Sequence, residues 1–379
     1  MVTWQAMAGE TIPREMKRLV VTSPGNGVSV ADCTVEVQTV PTPRPKPGEV
    51  LIKVVAAPVN PSDYGGWYKS SPKSTAYPMP MGKEGCGVVV ASAGYEGGLM
   101  WGMTSSFRCP IGTNVGFVIT DPASQGSYSE YVAVSALTGA FPMPPDVPIE
   151  DCASFFVNPY TAVGIIDTAQ RAGSTRALVN TAAASQLGQM LNRLAIARGD
   201  IEIINVVRRK EQGELLEGLG AKHVIVTGEG GNDDDDDADS WKAKLKAKVA
   251  DLGATCAFDA VSGDMTGHLL DCMPRGGVVY LYGVLAGRAG GIDPLDLIYR
   301  RKRLDAFYLS SWLHEGGTMR MIPRMLSAGG TVNSGLRSPD GWCRTEFADT
   351  TMEGAHAEIV RLLGTSITGK KLRIRFDGR

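Results

Sequence analysis

Two short stretches carry residues whose types and spacing suit a nucleotide. The first, Val179 to Gly199, reads VNTAAASQLGQMLNRLAIARG. A dinucleotide loop calls for G-x-G-x-x-G where a strand hands over to a helix. Here that spacing holds Ala183, Ser185 and Gly188. The three glycines of such a loop serve a tight turn, a close approach of backbone to pyrophosphate, and close helix–strand packing. Alanine and serine are small enough for the close approach, and a serine hydroxyl can donate to a phosphate oxygen. Gly188 keeps the packing role, and the positive end of the helix adds attraction. Ala184, Ser185, Gln186 and Leu187 are therefore the candidate phosphate contacts. The second stretch is Arg208, Arg209 and Lys210, with Arg208 lying 20 residues beyond Gly188. An acid at that place reads the ribose 2′-hydroxyl of NAD, whereas guanidinium groups match the 2′-phosphate of NADP. An exposed basic turn with no ligand is the plain alternative. Together the two stretches point to NADPH.

These residues need a strand before each of them. RALVNT and IEIINVV are apolar runs of strand length. The helix after the first run has Leu187, Met190, Leu191, Leu194 and Ala195 at i, i+3, i+4, i+7 and i+8, a buried helical stripe. KHVIV, CAFDAV and GVVYLYG continue the alternation of strand and helix, which reads as an α/β, doubly wound parallel sheet. Before Ile149 the pattern differs. RLVVTS, EVLIKVVAAPVN, GVVVASAG, NVGFVIT and SEYVAV are short β-prone runs between turn residues, which predicts a small β-rich domain. After Arg303 come a strand in DAFYLS, helices near Thr318–Leu326 and Gly354–Leu363, and a last strand in KKLRIRF. The run Asp233–Asp237, within a loop spanning 228–240, repels itself and reads as an inserted acidic surface loop. WKAKLKAKVADLG then returns to helix.

Composition bounds the function. The 379 residues carry a net charge of −2, so no field attracts nucleic acid or an anionic membrane. No apolar run reaches the length of a membrane span. The first sixteen residues lack a secretory h-region and are not rich in Arg or Ser, so the expected location is intracellular: mitochondrial, cytoplasmic or plastid. Seven scattered cysteines without a C-x-x-C pair suggest buried thiols in a reducing compartment.

With these motifs in place, the chain resembles the zinc-free branch of the medium-chain dehydrogenase/reductase superfamily. APVNPSD, GKEGCGVV, FVNPYTA, NTAAASQLGQ, INVVRRK and GLGAKHVI fall in that family's order. VNPSD, VNPYTA, INVVR and FYLSSW are most similar to blocks of mitochondrial-type 2-enoyl thioester reductases. The resemblance implies a GroES-like catalytic domain over 1–154 and 305–379, a Rossmann domain over 155–304, and a homodimer. It implies cofactor contacts at Asn158, Thr161, Tyr282, Gly283, Val284, Tyr308 and Leu309, with Lys371 reaching the phosphates.

Zinc alcohol dehydrogenases of this superfamily place a Cys near the VNPSD block and a His in G-H-E. This chain has no Cys there, and Lys83 precedes Glu84; a protonated lysine is a poor zinc ligand. No metal is expected. Without a Lewis acid, reduction of a conjugated C=C bond is the easier chemistry, because a few preorganised donors can hold the charge that collects on the carbonyl oxygen. The enoyl reductases carry a catalytic tyrosine eight residues after the Asp of NPSD, where this chain has Ser71. Tyr68, three residues earlier, is the candidate proton donor. Tyr64 and Asn60 complete the candidate catalytic set, and Ser71 or water are the other possible donors. Three functions stay open: an NADPH-dependent enoyl thioester reductase acting on CoA or carrier-protein substrates, an NADPH quinone or alkenal reductase, and a cofactor-binding protein without turnover.

Overall fold

The computed structural model describes residues 4–7, 11–68, 77–93, 109–121, 124–228, 240–338, 341–364 and 369–376. The chain forms two compact units, Met1–Val157 with Thr345–Arg379, and Asn158–Arg344.

The first unit is the β-rich one. Its strands are β1 (Trp4–Ala6), β2 (Glu15–Ser23), β3 (Thr34–Pro41), β4 (Glu49–Pro58), β5 (Met79–Pro80), β6 (Glu84–Ala93), β7 (Asn114–Val118), β8 (Tyr131–Ser135) and β9 (Ala140–Pro142). The second unit contributes β10–β15, and the chain end returns β16 (Phe347–Thr350) and β17 (Lys371–Arg375) to the first. The larger sheet runs β16-β17-β4-β6-β7-β9, with β1 on β6 and β8 on β4; β3-β2-β5 form a smaller sheet. Each β-prone run read from the sequence overlaps one of these strands. Val50, Ile52 and Val54 alternate into a core with Val89, Val115, Phe117 and Val132, as period-2 patterning requires. One helix of this unit, α1 (Pro61–Tyr68), follows β4 directly.

The second unit begins with α2 (Val157–Arg171), whose first residue closes the first unit. It continues with β10 (Ala177–Thr181), α3 (Gln186–Arg198), β11 (Glu202–Val207), α4 (Lys210–Gly218), β12 (His223–Val226), α5 (Ser240–Leu252), β13 (Cys256–Asp259), α6 (Met265–Cys272), β14 (Val278–Leu281), α7 (Pro294–Ile298) and β15 (Arg303–Ala306). The sheet order is β12-β11-β10-β13-β14-β15, all parallel. Counted from β10 this is 3-2-1-4-5-6, the doubly wound order whose ligand crevice lies where the order reverses, at the carboxyl ends of β10 and β13. The expected fold class is thus present. On α3, Met190, Leu191, Leu194 and Ala195 are buried and Leu187 is half-buried, as the stripe requires.

Residues 305–344 lie with the second unit, whereas the sequence boundary at 304/305 assigned them to the first. The reason is pairing and packing: β15 adds in parallel to β14, and Phe307 and Trp312 close on Gly164 of α2. There an added Cβ would stand 2.8 Å from the Phe307 ring and 3.0 Å from that of Trp312. Trp312 also donates to Asp167 (2.7 Å). After α8 (Leu309–His314), α9 (Thr318–Arg337) runs well past the predicted end at Leu326. Ala-Gly-Gly reads as a stop, but Gly329 lets the Tyr160 hydroxyl approach and Gly335 admits the Trp342 ring, so tertiary contact carries the helix on. The predicted helix near 354–363 is α10 (Ala355–Gly364). All seven cysteines are buried and none forms a disulfide. Residues 229–239, with the aspartate run, lie outside the described residues.

Candidate active site

In the second unit, the candidate cofactor residues from Ala184 to Leu309 collect just beyond the carboxyl ends of the parallel strands. The loop 182–185 follows β10, Arg208 follows β11, Tyr282–Val284 follow β14, and Tyr308 and Leu309 are the second and third residues after β15. Thr181 pairs with Val206, and the Ala183 amide donates to the Val206 carbonyl, so the loop and the arginines are neighbours.

The loop is built for close approach. Ala182 has φ of +48°, supplying the left-handed turn without glycine. A Cβ at Gly188 would lie 2.2 Å from the Ala183 carbonyl oxygen, so only glycine fits there. Ser185 is the N-cap of α3, its Oγ accepting from the Gly188 amide at 3.2 Å, and the residue is exposed. Its hydroxyl proton is left for an acceptor in front of the helix end. Ala184 and Gln186 are buried, while Leu187 is half-buried. Arg208 and Lys210 are exposed, and Gln212 Oε1 takes the amides of Arg208 (3.1 Å) and Arg209 (3.3 Å), which fixes the backbone turn that displays them. These features fit a pyrophosphate and a 2′-phosphate.

Two features of this edge were not read from the sequence. Asp259, fully buried at the end of β13, accepts from Thr181 Oγ1 (2.9 Å), Thr266 Oγ1 (2.8 Å) and the amides of Val261 and Ser262 (2.9 and 3.2 Å). It clamps β10 to β13 at the crevice. The Tyr282 hydroxyl donates to Asn180 Oδ1 at 3.0 Å, and burial pushes its pKa well above the ordinary tyrosine value, so it stays a neutral donor. An acid ending an apolar strand was the available signal for the first. Gly283 admits the Ala260 carbonyl, 2.6 Å from where a Cβ would be. Val284 and Tyr308 are exposed, Leu309 is half-buried, and on α2 Asn158 is half-buried and Thr161 buried.

The first unit holds a buried polar cluster around the start of α1. Asn60 Nδ2 donates to Glu84 Oε1 (2.9 Å), and Lys371 Nζ donates to Asn60 Oδ1 (2.6 Å) and Ser154 Oγ (2.8 Å). Asn60 was expected to be catalytic and Lys371 to reach phosphate. Both side chains are instead buried and committed to each other, and burial lowers the Lys371 ammonium's proton affinity against the pull of Glu84 and Asp63. Lys83 is spent on the Ser62 carbonyl (2.8 Å). Tyr64 is half-buried and meets Trp67 edge-on at 6.3 Å. Tyr68 is the last residue of α1; its side chain and Ser71 lie outside the described residues.

Asp63 accepts through Oδ2 from the Asn60 amide (2.8 Å) and the Tyr128 hydroxyl (3.1 Å), while Oδ1 is buried without a partner. Burial pushes its carboxyl from 3.8 up to about 6, against the Asn60 amide and the Lys83 charge. A carboxyl raised on folding binds more protons folded than unfolded between about pH 4 and 6, so stability falls as pH rises through that window, by at most about 3 kcal/mol. Asp63→Asn keeps an acceptor oxygen and removes the charge. It is expected to flatten this fall and stabilise the protein at neutral pH, measured by urea unfolding from pH 4 to 7.5; an unchanged slope would count against the assignment.

Among the described residues, no group of three or more His, Cys, Asp or Glu could hold a metal. Elemental analysis of the purified protein is expected to find no stoichiometric zinc, and one zinc per chain would overturn the reading of Lys83.

A family model described as an alcohol dehydrogenase GroES-like domain matches residues 46–145, and one described as a zinc-binding dehydrogenase matches residues 187–327. The mitochondrial enoyl-[acyl-carrier-protein] reductase of Arabidopsis thaliana is 28% identical over 296 residues, covering 75% of this chain and 71% of that protein. Its human counterpart is 27% identical over 308 residues, covering 79% and 74%. Among solved structures, a Mesorhizobium loti protein provisionally named an NADPH:quinone reductase is 28% identical with a TM-score of 0.76, covering 97% of this chain and 100% of that one. The chain belongs to the medium-chain dehydrogenase/reductase superfamily, as an oxidoreductase with a GroES-like domain and a Rossmann-type parallel sheet. Among the described residues, no helix is long and apolar enough to cross a membrane.

Proposed function

We propose that this protein reduces a conjugated C=C bond of a trans-2-enoyl thioester with NADPH. The observation that carries the cofactor half is the junction of the Gly188 loop and Arg208–Lys210 at the reversal point of the sheet. The enoyl thioester half rests on the VNPSD, VNPYTA and FYLSSW blocks and on the enoyl reductases among the relatives.

Ser185, the first turn of α3, Arg208, Arg209 and Lys210 would hold the phosphates, and Tyr282, Gly283, Val284, Tyr308 and Leu309 would line the nicotinamide end. When bound, the cofactor supplies a hydride for the β-carbon. The chain's own task is to receive the charge that gathers on the carbonyl oxygen and to give a proton to the α-carbon, and Tyr68 is the proposed donor. A hydroxyl donor serves both, since it can hydrogen-bond the oxygen or deliver the proton. Asn158 and Thr161 at the start of α2 are proposed further cofactor contacts. The protein is proposed to act as a homodimer. Strand β15, with all four residues exposed, ends the sheet among the described residues and offers its outer edge to a second copy.

A quinone or alkenal reductase is the second reading, favoured by the name of the Mesorhizobium relative. NADPH oxidation measured in parallel with crotonyl-CoA, a quinone and an alkenal tests both. Turnover of the thioester alone is the expected result; turnover of only the quinone or alkenal transfers the site to the second reading. Oxidation with none of the three would mark a cofactor-binding protein without turnover. The mitochondrial enoyl reductases also suggest a mitochondrial location, which imaging of the tagged full-length protein would check.

A further inference from the structure

Glu84 has no solvent exposure, yet its carboxylate meets three segments distant in sequence. Oε2 accepts from the amides of Phe156 and Val157, both at 3.0 Å, and so caps the start of α2 with a full negative charge. Oε1 accepts from Asn60, the residue before α1, and Lys371 Nζ stands 3.9 Å away. Lys371 in turn grips Asn60 and Ser154, two residues before Phe156. Asn60 itself closes half a capping box on α1, its amide bonded to Asp63 and its carbonyl taken by the Asp63 amide (2.9 Å). One buried cluster therefore holds the beginnings of both helices. α1 carries Tyr64 and Tyr68; α2 begins at the residue before Asn158.

A buried ion pair is a costly way to gain stability, because apolar residues of similar volume often serve as well. What such residues cannot do is set direction. A carboxylate with two amides on one oxygen and an amide on the other admits a single arrangement of its partners. We propose that Glu84, Lys371 and Asn60 form a positioning unit. It fixes the start of α1 against residues 154–157, the segment that ends this stretch of the first unit, and turnover depends on that arrangement. The inference rests on the proposed reduction, in which Tyr68, on α1, is the proton donor.

The test pairs Glu84→Leu with Lys371→Met. Each single change strands a buried charge and is expected to be strongly destabilising; the double change removes both. The expected result for the double variant is an unfolding midpoint close to that of the unmodified protein. Loss of the charged acceptor should speed exchange of the Phe156 and Val157 amides by on the order of tenfold to a hundredfold. It should also lower kcat at least about tenfold, while the Kd for NADPH stays within a few-fold because the loop after β10 and the arginines are untouched. Normal stability with kcat and both exchange rates unchanged would overturn the proposal and leave the cluster purely structural. Should the double variant not fold, Glu84→Gln decides: it keeps an acceptor for the amides and loses the charge facing Lys371. It is expected to lower kcat with unaltered Kd, and unaltered kcat overturns the proposal. If the unmodified protein reduces none of the three acceptors, the proposed reaction fails, and the two amide exchange rates still decide whether Glu84 holds the start of α2.

Discussion

Replacing Arg208 and Arg209 together by alanine is expected to erase a preference for NADPH over NADH that is at least about tenfold in the unmodified protein, since charge-assisted contacts contribute roughly 1.5–3 kcal/mol each. The expectation follows from place as well as charge. Arg208 leaves β11 at the carboxyl edge of the sheet, in the strand next to the one that feeds the Gly188 loop. Its backbone is held by Gln212, so the turn survives when the side chain is shortened. Affinity for NADH should therefore stay within a few-fold while that for NADPH falls. Fluorescence titration of both nucleotides against both proteins measures this. Equal affinities in the unmodified protein would remove the 2′-phosphate from the proposal, and a parallel loss of NADH binding would mean that the turn itself had collapsed.

Tyr68→Phe is expected to lower kcat with an enoyl thioester at least about a hundredfold, the lower end of what a positioned general acid contributes. NADPH affinity should stay within a few-fold, because the proposed phosphate contacts lie in the other unit. Tyr64→Phe should cost much less: that ring is half-buried and packs edge-on against Trp67, a structural engagement that phenylalanine can keep. The pair of variants separates a donor from a packing residue on the same short helix. A nearly silent Tyr68→Phe would assign the proton to Ser71 or water and end the role given to Tyr68.

The contrast between the two units shows where sequence reasoning reaches. The parallel sheet of the second unit could be read because its signals are local. Apolar runs of strand length, a helical stripe from Leu187 to Ala195 and small residues at the turn each report the burial of their own segment. A doubly wound sheet then delivers strand ends to one edge by topology. Even the missing glycines proved legible: the one position where a side chain would strike backbone, Gly188, is the one that kept its glycine.

The catalytic unit resisted the same approach because its partners are far apart in the chain. The family resemblance made Lys371 an expected phosphate ligand, and Asn60 was placed in the candidate catalytic set. Only folding brings them together across 311 positions, where each satisfies the other in a site too dry to leave either unpaired. The second domain boundary moved for a similar reason. Nothing in the DAFYLS segment says which sheet it will join, and pairing of β15 with β14 decided it. By itself the sequence determined most of the strands and helices and the class of sheet they build, since those follow from periodicity and local sterics. Which polar groups are spent on one another, and which are left to meet a substrate, was decided by tertiary structure alone, because burial makes every donor and acceptor seek a partner and only the fold determines which ones are within reach.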